Sequence, residues 1–392
     1  MNLADHETAL VLSGGGARAA YQVGCLRALA RSLPRGSPLP FPIVCGTSAG
    51  AINAAMLAAH ADDFRRGVAR LVRWWRRVDV ADVYRADLAA LSRHSARWLA
   101  GLLVGRGGPP QAASLLDNAP LRSLVAGAVD FARIDGQVKR GHLHALAINA
   151  TSYATGEAIT FFQGALAVEP WRRQRRSGRR TILGVDHLMA STAIPFVFPA
   201  VRVGGDWHMD GSVRQLTPLS PALKLGARRV LVLAVGQFAG QRAAAEAEPG
   251  YPSFAQTVGH ALSTIFLDNL AADLERMHQL NRLAAALPGG TARARPDLPR
   301  HVDALVLAPS RDLGEAARDY AHRLPRALRV LLKGFGSTRG TGSNLVSYLM
   351  FEPAFLRTLL ALGDADARAR QDELAAFLAA RSAAWLPLPP RP

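Results

Sequence analysis

The chain has 392 residues, 49% of them hydrophobic and 20% charged, with two cysteines and a formal net charge of +17. That length and balance fit a globular protein with a large core and exclude a disordered, collagen-like or disulfide-framework chain. Lys139, Lys224 and Lys333 are the only lysines among 47 basic residues, a usage that can reflect G+C-rich coding but attracts anionic surfaces whatever its origin.

Met1 to Thr8 carries Asp5 and Glu7 and no apolar run, so no secretory leader and a cytoplasmic protein are expected. Ala9 to Leu12 is a strand-like run entering Ser13-Gly14-Gly15-Gly16-Ala17-Arg18, with helix-like sequence from Ala19 to Ser32. Consecutive glycines at a strand-to-helix turn gather backbone N–H groups at the positive end of a helix dipole, where they stabilise an anion. Gly14-x-Gly16-x-x-Ala19 also satisfies a dinucleotide fingerprint, but that reading needs an acid about 20 residues on. No Asp or Glu occurs between Glu7 and Asp62, so an oxyanion hole is the better reading.

A second apolar run, Phe41 to Cys45, leads into Gly46-Thr47-Ser48-Ala49-Gly50 and a helix-like stretch, Ala51 to Ala59. Strand, sharp turn and helix around G-x-S-x-G is the context of a nucleophile elbow, which makes Ser48 the candidate nucleophile. Taken alone, the pentapeptide could equally be a small-residue packing turn. The low-polarity run Ile43 to Ala59 contains Thr47, Ser48 and Asn53. It is too short and too polar to span a bilayer. Cys25 and Cys45 fall in the helix after the glycine loop and the strand before Ser48, and are expected to be buried and reduced.

Residues 62–140 read as a helical insertion, either a cap over the site or packing helices. Within it Arg65, Arg66, Arg70, Arg73, Arg76 and Arg77 alternate with Val68, Leu71, Val72, Trp74 and Trp75. A second cluster, Arg172, Arg173, Arg175, Arg176, Arg179 and Arg180, follows Trp171. A solvated helix face and a mobile loop are the plain expectations; peripheral contact with an anionic membrane is the functional one. Nucleic acid is not an expected partner, because no zinc-ligand spacing, helix-turn-helix or aromatic RNA platform accompanies the charge.

Further strands are expected at Leu143 to Asn149, Ala158 to Phe162, a pair at Ala200 to Val203 and Trp207 to Met209, and Arg229 to Val235. Their alternation with helices predicts an α/β domain with a mainly parallel sheet. Asp210-Gly211-Ser212 closes the strand pair and reads most simply as a turn. A serine nucleophile needs a base, however, and Asp210 is the candidate. His208, two residues away, is a competing partner, although a conventional α/β-hydrolase triad places its histidine after the acid. Beyond Gln237 come the loop Ala243 to Pro252, an amphipathic stretch from Phe254 to Leu287, a strand at His301 to Ala308 and a helical remainder to about Trp385.

Taken together, Gly14 to Arg18, Gly46 to Gly50, Ala190 to Pro199 and Asp210-Gly211 resemble, in order, the motifs of the patatin-like phospholipases. The resemblance implies a three-layer α/β/α fold and a serine/aspartate dyad without histidine that hydrolyses acyl esters of lipids or phospholipids, with no metal or organic cofactor. Ser48 takes the nucleophile's place, Asp210 the proton acceptor's, and the N–H groups around Gly15, Gly16 and Ala17 the oxyanion donors'. Arg18 either orients a phosphate or braces the loop. Ala19 and Ser212 depart from the usual Gly and the usual Gly or Ala. The expected organisation is a catalytic domain over 8–235 and a mostly helical extension over 236–392 packed on it. A noncatalytic lipid-binding protein of the same fold is the alternative.

Overall fold

A computed structural model describes residues 7–85, 114–215, 217–236, 269–286, 300–334 and 342–379. Five strands of continuous apolar sequence form its centre: β1 (Thr8–Leu12), β2 (Ile43–Thr47), β3 (Ala145–Ser152), β9 (Arg229–Leu233) and β10 (Asp303–Leu307). They lie parallel in the order β10-β9-β1-β2-β3. Near-continuous hydrophobicity is what a strand covered on both faces requires. Beyond β3 the sheet turns antiparallel with β4 (Ala158–Gly164), which pairs with β6 (Arg176–Arg180) and through it β5 (Trp171–Arg173). β7 (Val201–Val203) and β8 (Asp206–Asp210) form the hairpin that joins β3.

Residue alternation along the strands divides the core into two layers. Leu10, Leu12, Val44, Leu146, Ile148, Leu231 and Leu233 face one way. They meet the helices α1 (Ala20–Ser32), α2 (Ala49–Ala58) and α3 (Phe64–Trp75). Ala9, Val11, Ile43, Cys45, Ala147, Val230 and Val232 face the other, under the short helix Ser220–Lys224 and the helix Asn269–Ala286. The result is the expected mixed α/β fold, with a mostly parallel sheet between helices and a helical C-terminal part. Both cysteines are buried and unpaired, and burial pushes both thiols well above their ordinary range.

Three further helices matter below: α4 (Val185–Ser191), α5 (Gly342–Leu349) and α6 (Pro353–Ala369). α6 lies on α1, clamped by Asp364. Its buried carboxylate accepts from Arg27 at 2.9 Å and Arg31 at 3.2 Å of α1, and from Arg368 at 2.8 Å.

Two expectations are corrected or bounded. Arg172 to Arg180 is a β-hairpin rather than a loop, because β6 finds β4 as a parallel partner and Arg175 makes the turn at φ 59°. Trp98, Gly105 to Pro110, Ala243 to Pro252, the start of the Phe254 to Leu287 stretch and the proline-rich tail lie outside the described residues. No helix among the described residues is long and apolar enough to cross a membrane.

Candidate active site

Sheet register brings the predicted residues together. Leu12, the last residue of β1, pairs with Gly46 of β2, so the glycine loop and the serine turn leave adjacent parallel strands at their carboxyl ends. Crevices outside such ends are the usual ligand sites of open α/β sheets. β2 stops at Thr47, opposite Asn149 of β3. On the same edge of β3 the next residue, Ala150, pairs with Asp210 of β8. The aspartate strand therefore ends where the serine strand ends, which brings together Ser48 and Asp210, 162 residues apart in the chain.

Ser48 sits at the turn between β2 and α2 with φ 56° and ψ −132°, a conformation a non-glycine residue adopts only when its surroundings impose it. One imposing contact is Gly50, where a Cβ would lie 2.5 Å from the carbonyl oxygens of Leu12 and Ser13. Only glycine lets α2 start that close to the end of β1. Ala49 opens α2, and Gly46 lies equally tight under the turn, 2.6 Å from Ala51 Cα at its missing Cβ. The Ser48 N–H donates to Ser191 Oγ at 2.9 Å, and Ser191 Oγ donates to the Asn149 carbonyl at 2.6 Å. Thr47 Oγ1 donates to Gln215 Oε1 at 2.7 Å and accepts from Asn149 Nδ2 at 3.0 Å. Ser191, Asn149, Thr47 and Gln215 are thus committed to holding the turn.

Gly14, Gly15 and Gly16 are buried between β1 and a 3-10 turn, Gly16–Ala19, that runs into α1. Gly16 has φ +53°, and a Cβ there would stand 2.2 Å from the Tyr348 carbonyl oxygen. The loop is therefore seated against α5 of the C-terminal part. Arg18, 3% exposed, donates from Nε to Ser347 Oγ at 2.7 Å and stacks its guanidinium 4.3 Å above the Tyr348 ring. This geometry is that of a brace.

On the inner side a relay fixes the loop's carbonyls. Trp75 Nε1 donates to Asn53 Oδ1 at 2.7 Å, Asn53 Nδ2 to Gln22 Oε1 at 3.0 Å, and Gln22 Nε2 to the Ser13 carbonyl at 2.9 Å. Among the described residues, no backbone hydrogen bond outside regular elements uses the N–H of Gly14, Gly15 or Gly16.

Asp210, 1% exposed, is held by its own backbone, its N–H donating to the Ala193 carbonyl at 2.8 Å. Gly211 follows for steric reasons: a Cβ would lie 2.3 Å from the Asn149 carbonyl oxygen. Ser212 donates its N–H to Asp210 Oδ1 at 2.9 Å. Oδ2 is buried without a hydrogen-bond partner among the described residues. Burial pushes the Asp210 carboxyl up to about 6, against the opposing pull of the Ser48 hydroxyl and Ser212. The Ser48 hydroxyl is thus near enough to favour the carboxylate, although the pair falls short of a full hydrogen bond.

His208 is fully buried and turned elsewhere. Its Nδ1 lies 3.1 Å from the Asp206 carbonyl oxygen, its ring packs on Phe161, and burial depresses its pKa.

The residue that motif reasoning passed over is Ser191. It lies in the Ala190 to Pro199 stretch, at the end of α4, where nothing local distinguishes one hydroxyl from its neighbour Thr192. Ser191→Ala would orphan both the Ser48 N–H and the Asn149 carbonyl, loosening the strained turn. The expected result is a kcat lower by about 10- to 100-fold with KM little changed, the size of a lost buried hydrogen-bond pair. Steady-state kinetics on a soluble ester checks this, and Ser191→Thr should recover part of the loss.

An α/β sheet with a serine turn, a glycine loop and a buried carboxylate at its carboxyl ends defines the class of architecture. The model of the patatin-like phospholipase family matches residues 10–223. More than half of the chain is covered, and the chain belongs to that family. No curated protein matches.

Among solved structures, human GIVD cytosolic phospholipase A2 is similar at 12% identity and a TM-score of 0.48, over 97% of this chain and 61% of that one. VipD from Legionella pneumophila is similar at 12% identity and a TM-score of 0.31, over 78% and 61%. ExoU from Pseudomonas aeruginosa, in complex with SpcU, is similar at 16% identity and a TM-score of 0.25, over 95% and 79%. The chain spans 58% of the length of the human enzyme in its inhibitor complex.

Proposed function

We propose that the protein hydrolyses carboxylic esters of lipids through an acyl-enzyme on Ser48, with Asp210 as the base. The observation that carries this reading is a buried carboxylate, raised to about 6 and with Oδ2 unpartnered, beside a serine on a strained turn. Asp210, ionised at neutral pH, accepts the Ser48 proton as Oγ attacks the ester carbonyl. The amides of Gly14, Gly15, Gly16 and Ala17, with the positive end of the helix that follows, are the oxyanion donors in this reading, whereas the Arg18 N–H is taken by the Gly15 carbonyl at 3.1 Å. The protonated Asp210 gives its proton to the leaving alcohol, then takes one from water as water attacks the acyl-enzyme, and returns it to Ser48 Oγ as the acyl–Oγ bond breaks and the fatty acid leaves. The residues themselves supply the nucleophile, base and oxyanion donors, so the sequence of steps calls for no cofactor.

Residues 8–235 form the catalytic unit in this reading, 62–140 a helical insertion in it, and 236–392 an extension that props the oxyanion loop through Tyr348 and Ser347. Arg70 and Arg73 on the outer side of α3, with Arg76 and Arg77 just beyond its end, are exposed and make this segment the better candidate for an anionic membrane surface. In the second cluster Arg172 is paired to Glu157, and Arg180 is bonded to the carbonyls of Gly164 and Ala165.

A panel of phospholipid, lysophospholipid and triacylglycerol, with released fatty acid measured by mass, tests the reading. At least one lipid should be cleaved, and His208→Gln should cleave it as well. Silence across the panel favours the lipid-binding alternative.

A further inference from the structure

Behind the Thr47–Asn149–Gln215 hydrogen bonds, between β4, β6 and the segment that follows Asp210, lies a small cleft of mixed lining. Thr160, Trp171, Arg176, Ser177, Gln215 and Thr217 line it. Its free volume of about 20 Å³ admits one ordered water, and the cleft is partly open to solvent. Ser177 is 6% exposed, and its buried Oγ has no hydrogen-bond partner among the described residues. Native structures rarely leave such a hydroxyl uncompensated unless a guest completes it.

Positive charge gathers at the same place. Arg176 uses one N–H on Thr217 Oγ1 and has others to offer. Arg173 pairs with Arg176 across the β5–β6 turn, and Lys224 stands one helical turn beyond Ser220 and Pro221, which also line the cleft. Burial, then Arg173 and Arg176, depress the Lys224 amine. The carboxylate near Arg176 is Asp273, which also feels Arg276. It already accepts the Leu219 N–H at 2.9 Å, and the cations Arg173, Arg176, Lys224 and Arg276 around it outnumber it.

We propose that the cleft is a binding site for a small phosphate-type oxyanion, held by the Arg176 guanidinium and the Ser177 hydroxyl. The site stands independently of the hydrolase reading. Free phosphate and the phosphoryl group of a lipid headgroup share the required chemistry.

Calorimetric titration of the 392-residue protein with inorganic phosphate, against sodium chloride at equal ionic strength, tests it. One saturable site is expected, weakened about tenfold or more by Arg176→Gln and about threefold or more by Ser177→Ala, as for charge-assisted and neutral hydrogen bonds. Glycerol 3-phosphate binding at least as tightly as phosphate identifies a headgroup phosphoryl; its exclusion while phosphate binds identifies the free anion. Should Arg176→Gln fail to fold by circular dichroism, Ser177→Ala decides. No saturable effect beyond the salt control, or unchanged binding in the folded variants, overturns the proposal.

Discussion

Ser48→Ala is expected to lower ester turnover by about 10⁴-fold or more, to the level left by the oxyanion hole and binding alone. No neighbouring hydroxyl is placed to substitute. Ser191 Oγ is engaged at both ends, by the Ser48 N–H and the Asn149 carbonyl, and Thr47 Oγ1 by Gln215 and Asn149. The side chain of Ser48 itself anchors nothing in the fold, since the turn is imposed through its backbone and through Gly50. Alanine should therefore keep the melting temperature while removing activity, and initial rates on a chromogenic acyl ester beside a thermal melt check both.

Asp210→Asn is expected to cost about 10⁴-fold in kcat, as when the carboxylate of a serine protease triad becomes an amide. The wild-type kcat/KM should fall below pH about 6, as the base takes up its proton. Stability moves the opposite way. Burial raises the carboxyl from 3.8 in the unfolded chain to about 6 in the fold, so between those values the folded protein binds the proton more tightly. The stabilisation this gives is complete below pH 3.8 and lost as pH rises through 6. At neutral pH the buried charge then weighs against folding by about 3 kcal/mol, at 1.36 kcal/mol per pKa unit. Asparagine carries no such charge and keeps an oxygen for the Ser212 N–H, so the inactive variant should melt higher than wild type at pH 8. A base that is merely structural would give a destabilised variant instead.

Local patterning made much of this fold legible. The expected strands form within a few residues, because five apolar runs separated by helix-length segments have few ways to pack other than a covered parallel sheet. The serine turn was legible from its two glycines, whose need is steric and local. Asp210 could be named only through the need for a base and its place in the ordered set of motifs, since a turn and a close approach to β3 select the same Asp-Gly; the pairing of Ala150 with Asp210 tells the two apart.

What escaped is long-range. Ser191 reaches Ser48 across 143 positions and Arg18 reaches Ser347 across 329. The arginine hairpin escaped for another reason. Its alternation carries no apolar face, because β6 draws its order from hydrogen bonding to β4 and from Trp171 stacked on Phe162.

The central claim is that Ser48 is the nucleophile that Asp210 activates. A fluorophosphonate probe followed by peptide mass mapping addresses it most directly, because the probe bonds only to an activated hydroxyl. One adduct is expected, on the peptide containing Gly46 to Gly50, weakened below pH about 6 and strongly reduced in Asp210→Asn. An unlabelled protein, an adduct on another serine, or labelling untouched by the loss of Asp210 would contradict it.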